Sequence, residues 1–298
     1  MNGLLISTAI LSTFGFSAVH VAPHVTPHVT THISEPHISV PHEAVHETTH
    51  TSETHSSSHF LRNWFIFNGL NHAVHHHAVH HHAGSADVKA LADKAIEPIK
   101  GQFGKLTYDN GSFKITKATA LNANVTSAPY AVNKPTDALG RAVMGDALLN
   151  KSTRIYQSRD KTGNSRTISP VGFMNKRVNG SYVYNRGHLI GYALAGGIKT
   201  FDASEANRQN ITTETAWANQ SQSATAKGQN YYEGIVRKAL DQSKIVRYRV
   251  TPVYNKSELV PRAMHMEAKS RDGKINFNVL VPNVQPKATI NYLTGVVY

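Results

Sequence analysis

The sequence predicts an α+β (mixed α/β) fold, because strand-like segments bracket helical ones along the part of the chain that begins near residue 85. A hairpin signal follows the first helical segment, and three apolar runs rich in strand-forming residues come after the last helical segment. About 210 residues are enough to bury one hydrophobic core. We therefore expect one globular domain in this part of the chain.

Each element follows from its residue pattern. Residues 86–102 (ADVKALADKAIEPIKGQ) predict a first helix, and residues 106–118 predict a hairpin that turns at Asp109–Asn110–Gly111. Residues 138–151 (ALGRAVMGDALLNK) carry small and apolar residues at helical spacing, which indicates another helix, and residues 228–240 (GQNYYEGIVRKAL) indicate a later one. The three final strand-like runs are SKIVRYRVTPVY (243–254), LVPRAMHMEAKS (259–270) and KINFNVLVPNV (274–284).

Charge and histidine divide the chain near residue 84. Residues 84–298 carry 30 of the 31 Lys and Arg residues but only 15 of the 19 Asp and Glu residues, a net charge of +15. Of the 19 histidines, 17 lie between His20 and His82. A basic domain favours polyanionic partners such as nucleic acid. The chain has no cysteine, which excludes disulfides, thiolate metal sites and a cysteine nucleophile.

The segment before this domain resembles an export and tether region. Residues 1–21 are interpreted as a signal peptide or an anchor, because residues 4–19 form a short apolar run that ends in small side chains. No Lys or Arg precedes that run, which leaves the anchor open. Residues 22–84, rich in His, Pro, Thr and Ser, are interpreted as a disordered leader. The predicted location is secreted or attached to the cell surface.

Two parts of the leader suggest contacts of their own. FLRNWFIFNGL at residues 60–70 is an aromatic patch that docks on the domain or the cell envelope, or else forms a satellite of the core. NHAVHHHAVHHHAG at residues 71–84 places imidazoles three and four residues apart, a spacing that suits Zn²⁺ or Ni²⁺. The alternative for this tract is a solvated tail with adventitious metal binding.

The stretch NRGHLIGYALAGG at residues 185–197 holds the candidate catalytic histidine. His188 can exchange a proton near neutral pH, and the planar fork of Arg186 suits phosphate oxygens. The glycines let the backbone turn sharply or approach a ligand closely. The string Asn-Arg-Gly-His is a weak signal by itself.

Two downstream blocks strengthen it. FDASEANRQNITTETAWANQSQ at residues 201–222 is rich in amides and ends in a helix-like segment. The predicted helix at residues 228–240 then places Glu233 and Arg237 four residues apart on one face. Taken in this order, the three blocks resemble the DNA/RNA non-specific endonuclease family, the His–metal finger (ββα-metal) nucleases, and in particular its secreted, streptodornase-type branch.

The resemblance covers roughly residues 88–298, and it implies a central antiparallel sheet with flanking helices, a ββα-metal finger active site and a nuclease domain over residues 85–298. His188 matches the general base that takes a proton from the attacking water. Asn219 matches the main direct protein ligand of Mg²⁺, for which Mn²⁺ can substitute. Arg186 matches an arginine that contacts phosphate.

Glu233 is similar to the helix glutamate that steadies the waters around the metal, and Arg237 is similar to a further phosphate contact. Asn185 stands where the family often has Asp, so a role that needs a carboxylate there is in doubt, and Asn185 is expected to contact substrate or to orient the loop. Arg159 lies in a basic loop that either meets DNA or is simply solvated.

Spacing adds a structural constraint. Asn219 and Glu233 are 14 residues apart, which on a straight helix is about 21 Å at 1.5 Å per residue. Because that is too far for both to face one hydrated metal, the helix must break between them, and SQSATAKG at residues 221–228 is the expected place. Of the neighbours, Glu214 is expected on a solvated helix face and Trp217 in core packing. His265 is expected to be an ordinary strand residue.

The sequence therefore predicts an exported, metal-dependent endonuclease that hydrolyses phosphodiester bonds of double- and single-stranded DNA, and of RNA as a second candidate, with little sequence specificity. No base-reading module is visible in the sequence, and no obligate protein partner is indicated. Two alternatives stay open. One is a non-catalytic surface protein for DNA binding or uptake, and the other is a surface module that binds metal through the His-rich leader.

Overall fold

The structure is a computed structural model, and it describes residues 85–157 and 166–298. The predicted signal segment, the leader with its aromatic patch and histidine tract, and Arg159 lie outside the described residues. Within those two ranges, no helix has both the length and the apolar character needed to span a bilayer.

The described elements are, in chain order, α1 (Ser85–Ile96), β1 (Leu106–Asp109), β2 (Ser112–Ile115), β3 (Tyr130–Asn133), β4 (Gly145–Leu149), β5 (Arg177–Val178), β6 (Ser181–Tyr182), β7 (Tyr184–His188), α2 (Tyr192–Ala195), β8 (Ile211–Thr215), α3 (Ala216–Gln220), β9 (Gln222–Ser223), β10 (Ala226–Lys227), α4 (Gln229–Asp241), β11 (Val246–Val253), β12 (Ala263–Ser270) and β13 (Asn276–Pro282). Short 3₁₀ helices occupy Lys100–Gln102 and Lys151–Thr153. The predicted α+β class is confirmed.

A seven-stranded antiparallel sheet forms the centre, with strand order β1-β2-β13-β12-β11-β4-β3. Successive side chains of a strand point to opposite faces, so the central strands supply two cores. On one face, Val279 and Val281 of β13 join the cluster that contains α4, and on the other face Leu280 packs with α1. The sheet is therefore covered by a helix on each side, as the resemblance implied.

The hairpin predicted at the start of the domain is confirmed. Asn110 and Gly111 both have positive φ, at 51° and 105°, and such a turn matches the right-handed twist of two paired strands. The strands β1 and β2 then pair from Leu106–Ile115 to Asp109–Ser112.

The helix indicated at residues 138–151 is wrong. Residues Gly145–Leu149 form β4, which pairs with β3 on one side and β11 on the other, and all five residues are buried. A strand buried on both faces shows no alternation of polar and apolar residues, so its short apolar run can be mistaken for part of a helix.

Strands β7 and β8 form a separate antiparallel pair, and α3 follows β8 directly, which gives a ββα unit. Side-chain amides attach this unit to its surroundings. The Asn175 amide exchanges two hydrogen bonds with the backbone of Tyr184, each 3.0 Å long. The wholly buried Asn283, just after β13, accepts from the Thr215 backbone N–H at 2.7 Å and donates to the Thr213 carbonyl at 3.0 Å.

Candidate active site

His188 is the last residue of β7, and its partly exposed ring lies against helix α4. The distance from His188 Nε2 to Glu233 Oε1 is 2.7 Å. Gly191 leaves room for this contact, since a Cβ at position 191 would lie 3.0 Å from His188 Nε2 and 3.2 Å from Glu233 Oε2. The turn after β7 therefore needs a residue without a side chain.

Two neighbours on α4 hold Glu233, each one helical turn away. Arg237 Nη1 donates to Glu233 Oε2 at 3.3 Å. Gln229 Nε2 donates to Glu233 Oε1 at 3.2 Å and to the backbone carbonyl of His188 at 2.7 Å. Burial raises the pKa of Glu233, but the charges and hydrogen bonds of His188, Arg237 and Gln229 outweigh it, so the pKa is lowered overall. Glu233 thus faces the imidazole as a carboxylate.

Arg237 is itself buried, with only 7% of its side chain exposed. Besides Glu233, it donates to the side-chain oxygen of Asn230 at 2.7 Å. In this arrangement the guanidinium positions Glu233. Its expected contact with phosphate stays a prediction.

Asn219 lies on α3, whose first turn is capped by Thr215. The Thr215 hydroxyl oxygen accepts from the Ala218 backbone N–H at 3.0 Å. Asn219 Nδ2 donates to Glu214 Oε2 at 3.1 Å. This contact uses the amide nitrogen of the half-buried side chain, and the oxygen Oδ1 takes no part in it.

The prediction that Glu214 lies on a solvated helix face is wrong. Glu214 belongs to β8, opposite Asn185, and is wholly buried. Burial raises its pKa to about 8; the hydrogen bond from Asn219 lowers it and the nearby charge of Glu233 raises it further. Gly187 gives the carboxyl group its space, because a Cβ there would lie 2.2 Å from Glu214 Oε2. The β-branched run Ile-Thr-Thr before Glu214 is a strand signal that would have located it.

Arg186 and Asn185 lie on β7 and are half-buried. Arg186 Nε donates to the carbonyl of Ile168 at 2.5 Å, and its guanidinium lies 5.1 Å from the centre of the Phe173 ring. Among the described residues Arg186 forms no ion pair, so its positive charge has no carboxylate partner there.

The predicted break between Asn219 and Glu233 is confirmed. Helix α3 ends at Gln220 and α4 begins at Gln229, and the short β9–β10 hairpin separates them. Gly228 is the N-cap of α4, and a Cβ there would lie 2.4 Å from the carbonyl oxygen of Ala218. This close approach turns α4 so that Glu233 reaches His188.

The structural interpretations of Trp217 and His265 are confirmed. The Trp217 ring packs against the main core, and a Cβ at Gly111 would lie only 2.4 Å from it. His265 lies on β12, where Nε2 is 2.6 Å from Asn278 Oδ1 and the ring meets the edge of Phe103. His265 is thus an ordinary strand residue, as expected.

The oxygen atoms that could bind a metal at this site fit a hydrated divalent cation. The described residues contain no group of three or more His, Asp or Glu side chains that could hold a metal. Mg²⁺ instead keeps several waters and takes only one or two protein oxygens. Asn219 Oδ1, on the side chain whose amide nitrogen donates to Glu214, is an oxygen that could hold such a cation, and Glu233 could contribute negative charge to the same site.

Comparison with known proteins identifies the family of this chain. The family model for DNA/RNA non-specific endonucleases matches residues 122–272, a range that includes every candidate site residue. Magnesium-bound NucA from Streptococcus agalactiae is 42% identical, with a TM-score of 0.64 over 68% of this chain and 95% of that one. The metal-free NucA structure is 41% identical, with a TM-score of 0.61 over 70% and 94%. Zinc-bound Sda1 nuclease is 22% identical, with a TM-score of 0.47 over 57% and 80%. The chain belongs to the DNA/RNA non-specific endonuclease family.

Proposed function

We propose that the protein is an exported endonuclease that depends on a divalent metal, Mg²⁺ or Mn²⁺ in its place, and hydrolyses phosphodiester bonds with little sequence specificity. Its substrates are double- and single-stranded DNA, and RNA as the second candidate. The observation that carries the proposal is the contact of His188 with Glu233, next to the paired Glu214 and Asn219. Magnesium-bound NucA supports the choice of metal.

His188 acts as the general base in this proposal. Because Nε2 contacts the Glu233 carboxylate, Nδ1 is the nitrogen that receives a proton from the attacking water. Glu233 orients the ring and stabilises the imidazolium that forms, and Arg237 and Gln229 keep Glu233 in place. Proton transfer of this kind contributes about 10²–10⁴-fold to rate.

The reacting phosphate needs compensation of its growing negative charge. Arg186, on the same strand as His188, supplies one positive charge. Asn219 Oδ1 would hold the metal, which when bound polarises the phosphate and assists the departing oxygen. Glu214 holds the amide nitrogen of Asn219, so that the oxygen keeps one direction.

The net charge of +15 over residues 84–298 would hold the substrate through its phosphates. Binding through the backbone does not depend on sequence, and its affinity should fall as salt rises. Arg159 and Asn185 are proposed as further substrate contacts.

Plasmid cleavage with Mg²⁺, and with EDTA, tests the proposal. His188→Ala should lower turnover by about 10²–10⁴-fold and leave DNA affinity nearly unchanged, because it removes the base and little charge. Added imidazole should restore part of the activity. His265→Ala is the matched control, since His265 lies on another strand of the described domain and bonds Asn278. Full cleavage by His188→Ala would refute the role of the base, and no cleavage by the wild type would favour the non-catalytic DNA-binding alternative.

The leader completes the proposal. We assign export to residues 1–21, and a tether with envelope contact and Zn²⁺ or Ni²⁺ binding to residues 22–84. The nuclease domain is residues 85–298, and the packing of α1 against the sheet supports this start. Comparing the zinc affinity of the full chain with that of a protein beginning at Ser85 tests the metal assignment, because equal affinities would contradict it.

A further inference from the structure

The β5–β6 hairpin stands beside the catalytic strand and has no role in the site described above. Its paired residues Arg177 and Tyr182 face each other, with the Arg177 guanidinium 4.5 Å from the centre of the Tyr182 ring. Tyr182 is 53% exposed. Asn179 and Gly180 have φ of 50° and 81°, the values of a tight hairpin turn. The turn thus presents an aromatic ring with a guanidinium over one face.

The sequence on both sides of this hairpin is basic. The sequence from Lys161 to Phe201 contains neither Asp nor Glu. Arg177, on β5, and Lys176, which precedes it, are exposed, and the nearby Met174 is 57% exposed. An exposed apolar and aromatic surface within an acid-free, basic stretch is complementary to a polyanion that also offers planar bases.

The hairpin is connected to His188 by a short segment of chain. Tyr182 precedes His188 by six residues, so the two lie at most about 20 Å apart at 3.3 Å per residue. Asn175 bonds the backbone of Tyr184, and Phe173 packs under the Arg186 guanidinium. A nucleic-acid strand engaged at His188 could therefore reach the hairpin within about six nucleotides, even at the 3.4 Å spacing of a duplex strand.

We propose that the β5–β6 hairpin is a second nucleic-acid contact, in which Tyr182 stacks on an unpaired base while Arg177 and Lys176 bind phosphates of the same strand. The inference rests on the proposed function, and it adds a preference for single-stranded regions. Stacking on an aromatic ring beside basic groups holds single strands without reading their sequence. A paired duplex keeps its base faces stacked and offers little to Tyr182.

Binding and cleavage by the full-length protein test this contact. Fluorescence anisotropy in EDTA, which prevents cleavage, would give the affinity for a single strand of about 16 nucleotides and for the matching duplex. Tyr182→Ala should weaken single-strand binding about tenfold, whereas Tyr182→Phe keeps the ring and should bind like the wild type. Tyr182→Leu, which keeps apolar bulk without an aromatic face, should resemble Tyr182→Ala.

A small substrate provides the control for the chemistry. A single-nucleoside p-nitrophenyl phosphodiester is too short to reach the hairpin, so every Tyr182 variant should cleave it at the wild-type rate. Unchanged single-strand affinity in Tyr182→Ala, or an equal loss for duplex, would overturn the proposal. If the wild type, supplied with Mg²⁺, cleaves neither the nucleic acid nor the small phosphodiester, the proposed function fails instead.

Discussion

Replacement of Glu214 by Gln probes the titratable group of the site whose pKa is raised most strongly. Glu214 is wholly buried, its Oε2 accepts one hydrogen bond from Asn219, and its Oε1 has no hydrogen bond within the described residues. Glutamine has nearly the same shape and stays neutral at every pH. The substitution therefore removes the titration and leaves the packing largely intact.

The pKa of Glu214 determines the sign and size of the change in the free energy of unfolding with pH. Burial raises the pKa of Glu214 from its ordinary value of 4.5 to about 8. Between these pH values the folded protein keeps a proton that the unfolded chain releases, so the free energy of unfolding falls as pH rises. At 1.36 kcal/mol per pH unit, the loss over the window is about 5 kcal/mol. The pKa of Glu233 is lowered instead, so its contribution is present across this window and is lost only at more acidic pH.

Urea unfolding in EDTA, at several values from about pH 5 to about pH 9, measures this loss. Because the range starts about half a pH unit above the ordinary pKa, the stability of Glu214→Gln relative to the wild type should rise by about 4 kcal/mol across it and level off above about pH 8. Glu97→Gln is the control, because 64% of the Glu97 side chain is exposed, and its profile should parallel the wild type. A parallel profile for Glu214→Gln would show that Glu214 is not held neutral by burial.

Three further predictions concern the metal, the turn and the leader. Asn219→Ala should weaken Mg²⁺ binding measured by calorimetry and abolish most cleavage while the fold is preserved. Asn219→Asp should bind Mg²⁺ more tightly and cleave DNA more slowly. An unaltered Mg²⁺ response in both variants would remove Asn219 from the site. Gly191→Ala places a Cβ 3.0 Å from His188 Nε2 and should displace the ring. It should therefore lower kcat about tenfold or more with little change in KM. An unchanged kcat would contradict this displacement of His188. A protein that begins at Ser85 should fold and cleave DNA near the full-length rate; failure to fold would show that the aromatic patch at residues 60–70 belongs to the core.

The features that the sequence predicted well depend on short-range chemistry. The turn at Asn110 and Gly111 needs positive φ at both residues, and few residue pairs accept that conformation. Helix α4 shows its apolar period over 13 residues. The break before Gly228 followed from helical geometry alone, since 14 residues of straight helix separate two groups too widely for one site.

The features that it missed depend on partners far along the chain. Strand β4 can be identified only from its pairing with β3 and β11, because its own residues Gly145–Leu149 show no alternation of polar and apolar side chains. Glu214 is buried because Gly187 on the neighbouring strand leaves space and Asn219 supplies a donor. Gln229 donates hydrogen bonds to the His188 carbonyl and to Glu233. It belongs to no sequence motif, so its role can be seen only once the position of α4 beside β7 is known.

The two buried carboxyl groups of the site, Glu214 and Glu233, suit different tasks because their surroundings separate their pKa values. Glu233 is ionised by its contacts with His188, Arg237 and Gln229, and an ionised carboxylate is what an imidazolium needs beside it. Within residues 85–157 and 166–298, Asn219 is the only hydrogen-bond partner of the Glu214 carboxyl group, and the charge of Glu233 opposes the ionisation of Glu214. A neutral Glu214 can fix the Asn219 amide without placing a second negative charge near the proposed phosphate position. Asn185 in place of an acid limits the negative charge in the same way, and in the proposed mechanism Glu233 is the carboxylate that supports His188.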